Sequence, residues 1–284
     1  MPPVLPEWSR GGSVGSANSD SARRPSGQNG GGEVSYPDDG NDLTLKVEDA
    51  SFWFHHRNKV LELMLGRFKP VGTLWDIGGG NGFQALHFQK QGHPVVMVEP
   101  GPGGCRNARA RGVEHVVQGT LESLKLPSGK IAATSAFDVI EHLEHPQELL
   151  REASRVMKPG GRMYLTVPAY QSLWSDEDLY ACHHRRYTAD SLELELGLAG
   201  FQVEFLSYYF QFLVLPIFML RSLPYRAQFW KKYDTAAMDL EEHTPGKASA
   251  AVANVLLERE LAALHSGKRL RFGSSLIAVA TRRS

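Results

Sequence analysis

The chain has 284 residues, and its 31 basic and 31 acidic side chains leave a formal net charge of zero. That balance argues against a bulk polyanion binder, so no nucleic-acid partner is expected. A composition of 42% hydrophobic and 22% charged residues suits a globular protein with a sizeable core. Two cysteines, Cys105 and Cys182, match neither a disulfide framework nor a zinc site. They point to a reducing, cytoplasmic compartment and are expected to pack as small apolar groups.

Residues 1–42 lack apolar periodicity and are rich in Gly, Ser, Pro, Asn and Asp, which predicts a disordered arm ahead of one folded domain over 43–284. A helix is expected from Val47 to Gly66, then a first strand from Thr73 to Ile77 and a helix over 81–91. A second strand follows from Pro94 to Glu99, a short helix from Arg106 to Arg111, a third strand from Val113 to Gln118 and a fourth from Ile131 to Ala136. A helix from Pro146 to Met157 is read as stopping at Lys158-Pro159-Gly160-Gly161, before a fifth strand from Arg162 to Val167. A helix from Ala189 to Leu198, a sixth strand from Phe201 to Tyr209 and a last strand from Ser275 to Thr281 complete the pattern. This alternation predicts an α/β fold with a doubly wound, mainly parallel, seven-stranded sheet of Rossmann-like type and a helical insertion, 210–273, before the last strand.

The insertion opens on an apolar run. Its uncharged stretch, Phe205 to Leu220, is shorter than the roughly 20 residues of a spanning helix, and Pro216 interrupts it. A packed helix over the substrate pocket or a homodimer face is expected. The alternative is an interfacial helix over 205–226 touching a membrane or lipidic substrate, aided by Arg221, Arg226, Lys231 and Lys232.

Leu74-Trp75-Asp76-Ile77-Gly78-Gly79-Gly80-Asn81-Gly82 is the most informative stretch. A dinucleotide fingerprint would place its third glycine at position 83, where the chain has Phe83. The pattern G-x-G-x-G, with Asp76 two residues before Gly78, resembles motif I of class I S-adenosylmethionine (SAM)-dependent methyltransferases. Phe137 to Leu143 and Val156 to Gly161 look like later motifs of the same superfamily. The flanking segments Phe52-Trp53-Phe54, Val167-Pro168-Ala169 and His184-Arg185-Arg186-Tyr187-Thr188 are similar to a bacterial subgroup close to the ubiquinone and menaquinone methyltransferases.

The resemblance implies SAM as cofactor and a small-molecule acceptor. It places Gly78 and Gly80 against the methionine part, Asp76 on the ammonium, Glu99 and Pro100 at the ribose, and Thr120 and Leu121 at the adenine. Trp53, with Phe52 and Phe54, closes the pocket or belongs to an aromatic core, and Arg57 binds the methionine carboxylate or is solvated. Asp138 adjoins the methyl group. Asp138-x-x-Glu141-His142 resembles a divalent-metal segment of some relatives, although those have Glu where this chain has Asp138. The readings are a metal site joined by His183 or His184, His142 as general base, or a structural role without metal. His184 and Tyr187 are candidate catalytic groups at the substrate mouth, unless 184–187 is a salt-bridge loop. The implied reaction is SN2 methyl transfer to an O, N or C nucleophile. A SAM-fold binding protein without turnover is the alternative of another class, and an NAD-dependent oxidoreductase is disfavoured by Phe83.

Overall fold

The computed structural model describes residues 45, 48, 49, 51–227 and 247–284; the arm over 1–42, together with Lys231 and Lys232, lies outside them. Helix α1 (Phe52–Arg67) starts at Ser51, whose hydroxyl accepts from the Trp53 N–H at 3.2 Å. There follow β1 (Leu74–Ile77), α2 (Phe83–Lys90), β2 (Val95–Glu99), α3 (Pro102–Arg111), β3 (Val116–Gln118) and β4 (Ile131–Phe137). The second half contains α4 (Pro146–Val156), β5 (Met157–Pro168), α5 (Asp176–Tyr180), α6 (Ala189–Leu198), β6 (Phe201–Tyr209), α7 (Lys247–His265) and β7 (Ser275–Arg282).

The seven strands lie in the order β3-β2-β1-β4-β5-β7-β6. Pairs from β3 to β5 are parallel, whereas β7 runs antiparallel between β5 and β6. The sheet is thus the expected Rossmann-like one. The winding reverses between β1 and β4, which opens a crevice at the carboxyl ends of those strands. One sheet face packs Val60, Leu61 and Met64 of α1, Phe88 of α2, Ala108 of α3 and Leu257 and Leu264 of α7. The other packs Leu149, Leu150 and Ala153 of α4 and Leu192 and Leu196 of α6.

Three expectations are corrected. The Lys158–Gly161 stop lies within β5, because Met157 already pairs with Ile131 and a bulge carries the register on to Ala133 opposite Arg162. Helix α3 begins at Pro102, four residues early, because Pro suits a helix N-terminus. Cys105 is buried, but Cys182 is exposed.

The described start of the insertion, 210–227, is broken rather than one packed helix. Phe210 takes a left-handed conformation (φ 60°), a 3-10 turn covers Gln211–Leu213, and an irregular helical run occupies 214–227 with a π turn at Phe218–Ser222. Leu215, Met219, Leu220 and Leu223 of that run are exposed. No described helix is long and apolar enough to cross a membrane.

Candidate active site

The glycine turn leaves β1 beneath β2. Gly78 N–H and Gly79 N–H both donate to the Val98 carbonyl, at 2.8 and 3.4 Å. Gly80 has φ +54° and nothing within 4 Å of where a Cβ would stand, so its outer side is open space. Gly82 also needs a positive φ, 77°, and its Cβ would meet the Ala108 side chain at 2.7 Å. Openness at one glycine and close packing at the next make a cradle for a ligand on a fixed floor.

Two acids frame the cradle. Asp76 is 2% exposed; Oδ1 accepts from the Ser135 hydroxyl at 2.8 Å, and Oδ2 has no protein partner among the described residues. Burial raises its pKa to about 7, opposed by the Ser135 hydrogen bond and by Arg57. An unpaired, buried carboxylate oxygen next to the glycine turn suits an incoming cation such as an ammonium. Glu99 closes β2. Its two oxygens accept one main-chain N–H each, Gly80 at 2.8 Å and Gly101 at 2.7 Å, leaving further lone pairs for ligand hydroxyls. Pro100 follows it, half-buried. Thr120 N–H donates to the Ser123 hydroxyl at 2.9 Å, so this residue makes a local turn. The Leu121 side chain is fully buried in the core, which leaves only its main chain for a ligand.

Helix α1 covers the crevice. Arg57, 5% exposed, lies over the rings of Trp53 (4.6 Å) and Phe54 (4.9 Å) and forms an ion pair with Asp138. The alternative of a solvated Arg57 is thereby overturned. Asp138 is left-handed (φ 55°), a strained choice for a non-glycine residue, and the turn presents its carboxylate to Arg57. Glu48, which sequence reasoning missed, is 5% exposed and bonded to Arg111 at 2.6 Å. Burial raises its pKa to about 7, with Arg111, Arg57 and Asn81 opposing. No motif marks Glu48; a spatial contact to Asn81 in the glycine turn reveals it.

Beyond β4, Glu141 is fully buried and neither carboxylate oxygen has a partner among the described residues beyond its own residue. Burial, then the Asp138 charge, pushes its pKa well above the usual carboxylate range. Ligand atoms of Glu141, His142 and His183 lie within 4.8 Å of one another. Burial, then His183, lowers the His142 pKa to about 3, so its ring is neutral. His183 Nδ1 is bonded to Asp178 at 2.8 Å, and Arg186 clamps the same carboxylate at 2.7 and 2.9 Å. Asp138 is held by Arg57, and His183 takes the third position in this cluster.

The 184–187 stretch is corrected in part. His184 is exposed, and its main-chain N–H donates to the Glu141 carbonyl at 2.8 Å. Arg185 donates to the carbonyls of Leu143 (3.0 Å) and Glu144 (2.7 Å). Tyr187 is 2% exposed and its hydroxyl donates to the Ile140 carbonyl at 3.4 Å, so it is a buried brace rather than a phenol at an open mouth.

The methyltransferase-domain family profile matches residues 51–205, more than half of the chain. This chain belongs to the methyltransferase-domain family. The methyltransferase is 28% identical over 202 residues to a probable SAM-dependent methyltransferase of Mycobacterium tuberculosis, covering 70% of this chain and 69% of that one. It is 28% identical over 161 residues to a second such protein, from Mycolicibacterium smegmatis, spanning 56% of this chain and 62% of the relative. A ubiquinone biosynthesis O-methyltransferase of Xanthomonas axonopodis pv. citri is 28% identical over 121 residues, 40% of this chain and 51% of that one. Among solved structures, a putative methyltransferase of Haloferax volcanii, in complex with a methyltransferase activator, superposes with a TM-score of 0.55 at 17% identity. That match covers 87% of this chain and 96% of the other. Phosphoethanolamine N-methyltransferase 2 of Haemonchus contortus, solved with SAM, gives 0.54 at 16% identity, covering 88% and 58%. The solved structures show the class I methyltransferase fold, and the family profile with the SAM-dependent relatives gives SAM as its cofactor.

Proposed function

We propose that the protein transfers a methyl group from SAM to a small-molecule acceptor. The observation that carries this reading is the pair of acids facing the open glycine turn: Asp76 with an unpaired buried oxygen, and Glu99 bonded to Gly80 at 2.8 Å. When bound, the cofactor would supply an electrophilic sulfonium methyl for the acceptor's lone pair, with the neutral thioether as leaving group and the acceptor's proton passing to solvent.

The chain's own residues bind and orient. Asp76 takes the ammonium, Arg57 the carboxylate, Gly78 and Gly80 the methionine stem, and Glu99 with Pro100 the ribose. Thr120 and the main chain of Leu121 border the adenine, while Trp53 and Asp138 wall the reacting end. Alignment and exclusion of water then supply most of the rate. His142, neutral at physiological pH, is a weak base by its lowered pKa and serves best as a hydrogen-bond acceptor for the nucleophile. In this reading the described run 210–227 of the insertion borders the acceptor side of the domain. Exposed Leu215, Met219, Leu220 and Leu223 support an apolar or lipid-borne acceptor there. Calorimetry with S-adenosylhomocysteine tests the reading: wild-type protein binds it and the Asp76→Ala variant does not. Equal affinity of the two proteins rejects the cofactor assignment.

The Glu141, His142 and His183 cluster favours a second reading, a divalent-metal-dependent hydroxyl methyltransferase. A neutral histidine ring, a buried carboxyl and a histidine oriented by Asp178 are a fitting donor set. A metal bound there would lower the pKa of an acceptor hydroxyl. Activity lost with EDTA and restored by Mg or Mn supports it; indifference to EDTA ends it.

A further inference from the structure

Glu260 lies on α7, well beyond the 51–205 stretch that matches the family, and it is 5% exposed. An acid so buried needs donors, and it has three. Oε1 accepts from the Phe210 N–H at 2.7 Å and contacts His56 Nε2 at 3.1 Å, and Oε2 accepts from the Gln211 N–H at 2.7 Å. Two successive main-chain N–H groups converging on one carboxylate make an anion-holding nest at the start of the Gln211–Leu213 turn.

The held turn is a costly one. Phe210 is left-handed at φ 60°, which a side-chain-bearing residue adopts only where its surroundings hold it. The corner cannot drift toward β7 either, because the Gly273 position lies so close that a Cβ there would stand 2.1 Å from the Tyr209 carbonyl oxygen. What the turn places is the Phe210 ring. It stacks on Trp53 at 5.5 Å and 13°, and it contacts the His56 ring at 5.1 Å. Trp53 in turn carries the Arg57 guanidinium on its ring at 4.6 Å.

We propose that Glu260 is a positioning residue of the cofactor pocket: through Phe210 and Trp53 it sets the surface that orients Arg57. The inference rests on the SAM reading above. The acid itself touches no cofactor; it acts through two rings. Helix α7 is thereby coupled to cofactor affinity through Phe210 and Trp53.

The test uses the full-length protein and S-adenosylhomocysteine in calorimetry, with urea melts alongside. Glu260→Gln keeps the shape but turns an N–H toward an N–H. It should weaken binding about tenfold, the size of one lost charge-assisted hydrogen bond. Phe210→Leu should do the same, and the double variant should be no weaker than the weaker single, because both act on one contact chain. Glu258→Gln is the control, since Glu258 is exposed and, among the described residues, bonded to Lys59 at 2.7 Å. Its affinity should match wild type. If Glu260→Gln does not fold, Glu260→Asp carries the same readouts, because it keeps the charge and retracts it by one methylene. A lowered melt with wild-type affinity, or additive losses in the double variant, overturns the proposal and makes Glu260 structural only. Failure of the wild-type protein to bind S-adenosylhomocysteine would instead overturn the cofactor reading itself.

Discussion

Replacing Asp76 by asparagine should move stability and cofactor affinity in opposite directions. The carboxylate is 2% exposed, bonded on one oxygen to Ser135 at 2.8 Å, and its pKa is raised by burial from 3.8 to about 7. A carboxyl raised in the fold binds its proton more tightly there than in the unfolded chain. Its contribution is therefore neutral below the unfolded value, stability falls as pH rises through the window from 3.8 to about 7, and the full cost stands above it. At about 1.4 kcal/mol for each pH unit, that cost is on the order of 4 kcal/mol. Asp76→Asn removes it, so the variant should be more stable than wild type at about pH 8 and nearly equal at about pH 4. Binding responds the other way. The ligand ammonium loses a charged partner, which is worth about 1.5–3 kcal/mol, or roughly 10- to 150-fold in Kd. Wild-type affinity should also rise from about pH 6 to about pH 8 as Asp76 ionises, while the variant's stays flat. Urea melts and S-adenosylhomocysteine calorimetry across that range read both effects. A variant with wild-type affinity and lower stability at about pH 8 would falsify the assignment.

Glu99→Gln should weaken adenosine as well as S-adenosylhomocysteine, about tenfold each. Asp76→Asn should leave adenosine untouched, because only the methionine end meets Asp76; competition binding separates the two. Gly82→Ala should cost about 2–3 kcal/mol in urea melts, because φ is +77° and the new Cβ would stand 3.0 Å from the Ala108 main chain. Gly80→Ala should cost only about 1 kcal/mol, since nothing lies within 4 Å. Its methyl enters the ligand space, so its loss appears in calorimetry instead. Under the metal-dependent reading, His183→Ala and Asp178→Asn should both raise the Mg concentration needed for half-maximal activity, by about 10-fold or more.

The sheet was legible because strand and helix periods alternate cleanly; β6 from Phe201 to Tyr209 and α6 from Ala189 to Leu198 match the expected bounds. Misreadings arose where glycine served packing rather than a break. The helix expected from Arg106 begins at Pro102 and takes in Gly103 and Gly104, where a Cβ on Gly104 would stand 2.7 Å from the Gly80 carbonyl. Only a bare helix face fits against the glycine turn. Helix α7 fits the expected helical character of the insertion, but its bounds were not assigned, although Ala and Leu are abundant from Lys247 to His265. The glycine turn with its two acids was legible because Asp76 and Glu99 sit at strand ends, next to their turns in sequence. Glu260 and His56 are 204 residues apart and Arg111 and Glu48 are 63 apart, so only the fold reveals them.

Arg57 joins the two halves of the crevice, and a comparison of two carboxylates shows what that means energetically. Asp76 and Asp138 both feel this guanidinium, but only Asp138 forms the ion pair, with side-chain exposures of 6% for Arg57 and 19% for Asp138. Breaking a buried pair by removing one charge leaves the other charge uncompensated. The same substitution that stabilises the fold at position 76 should therefore destabilise it at 138. Asparagine can still accept one hydrogen bond from Arg57, which limits the loss to about 1–3 kcal/mol. A cofactor carboxylate reverses part of that loss. Once Asp138 is neutral, Arg57 gains its anion from the ligand, so S-adenosylhomocysteine should raise the melting temperature of Asp138→Asn by more than it raises that of wild type. Thermal melts at about pH 8, with and without ligand, measure this directly. Equal shifts in the two proteins would mean that Arg57 does not face the cofactor carboxylate and would leave it as a brace for the turn at Asp138.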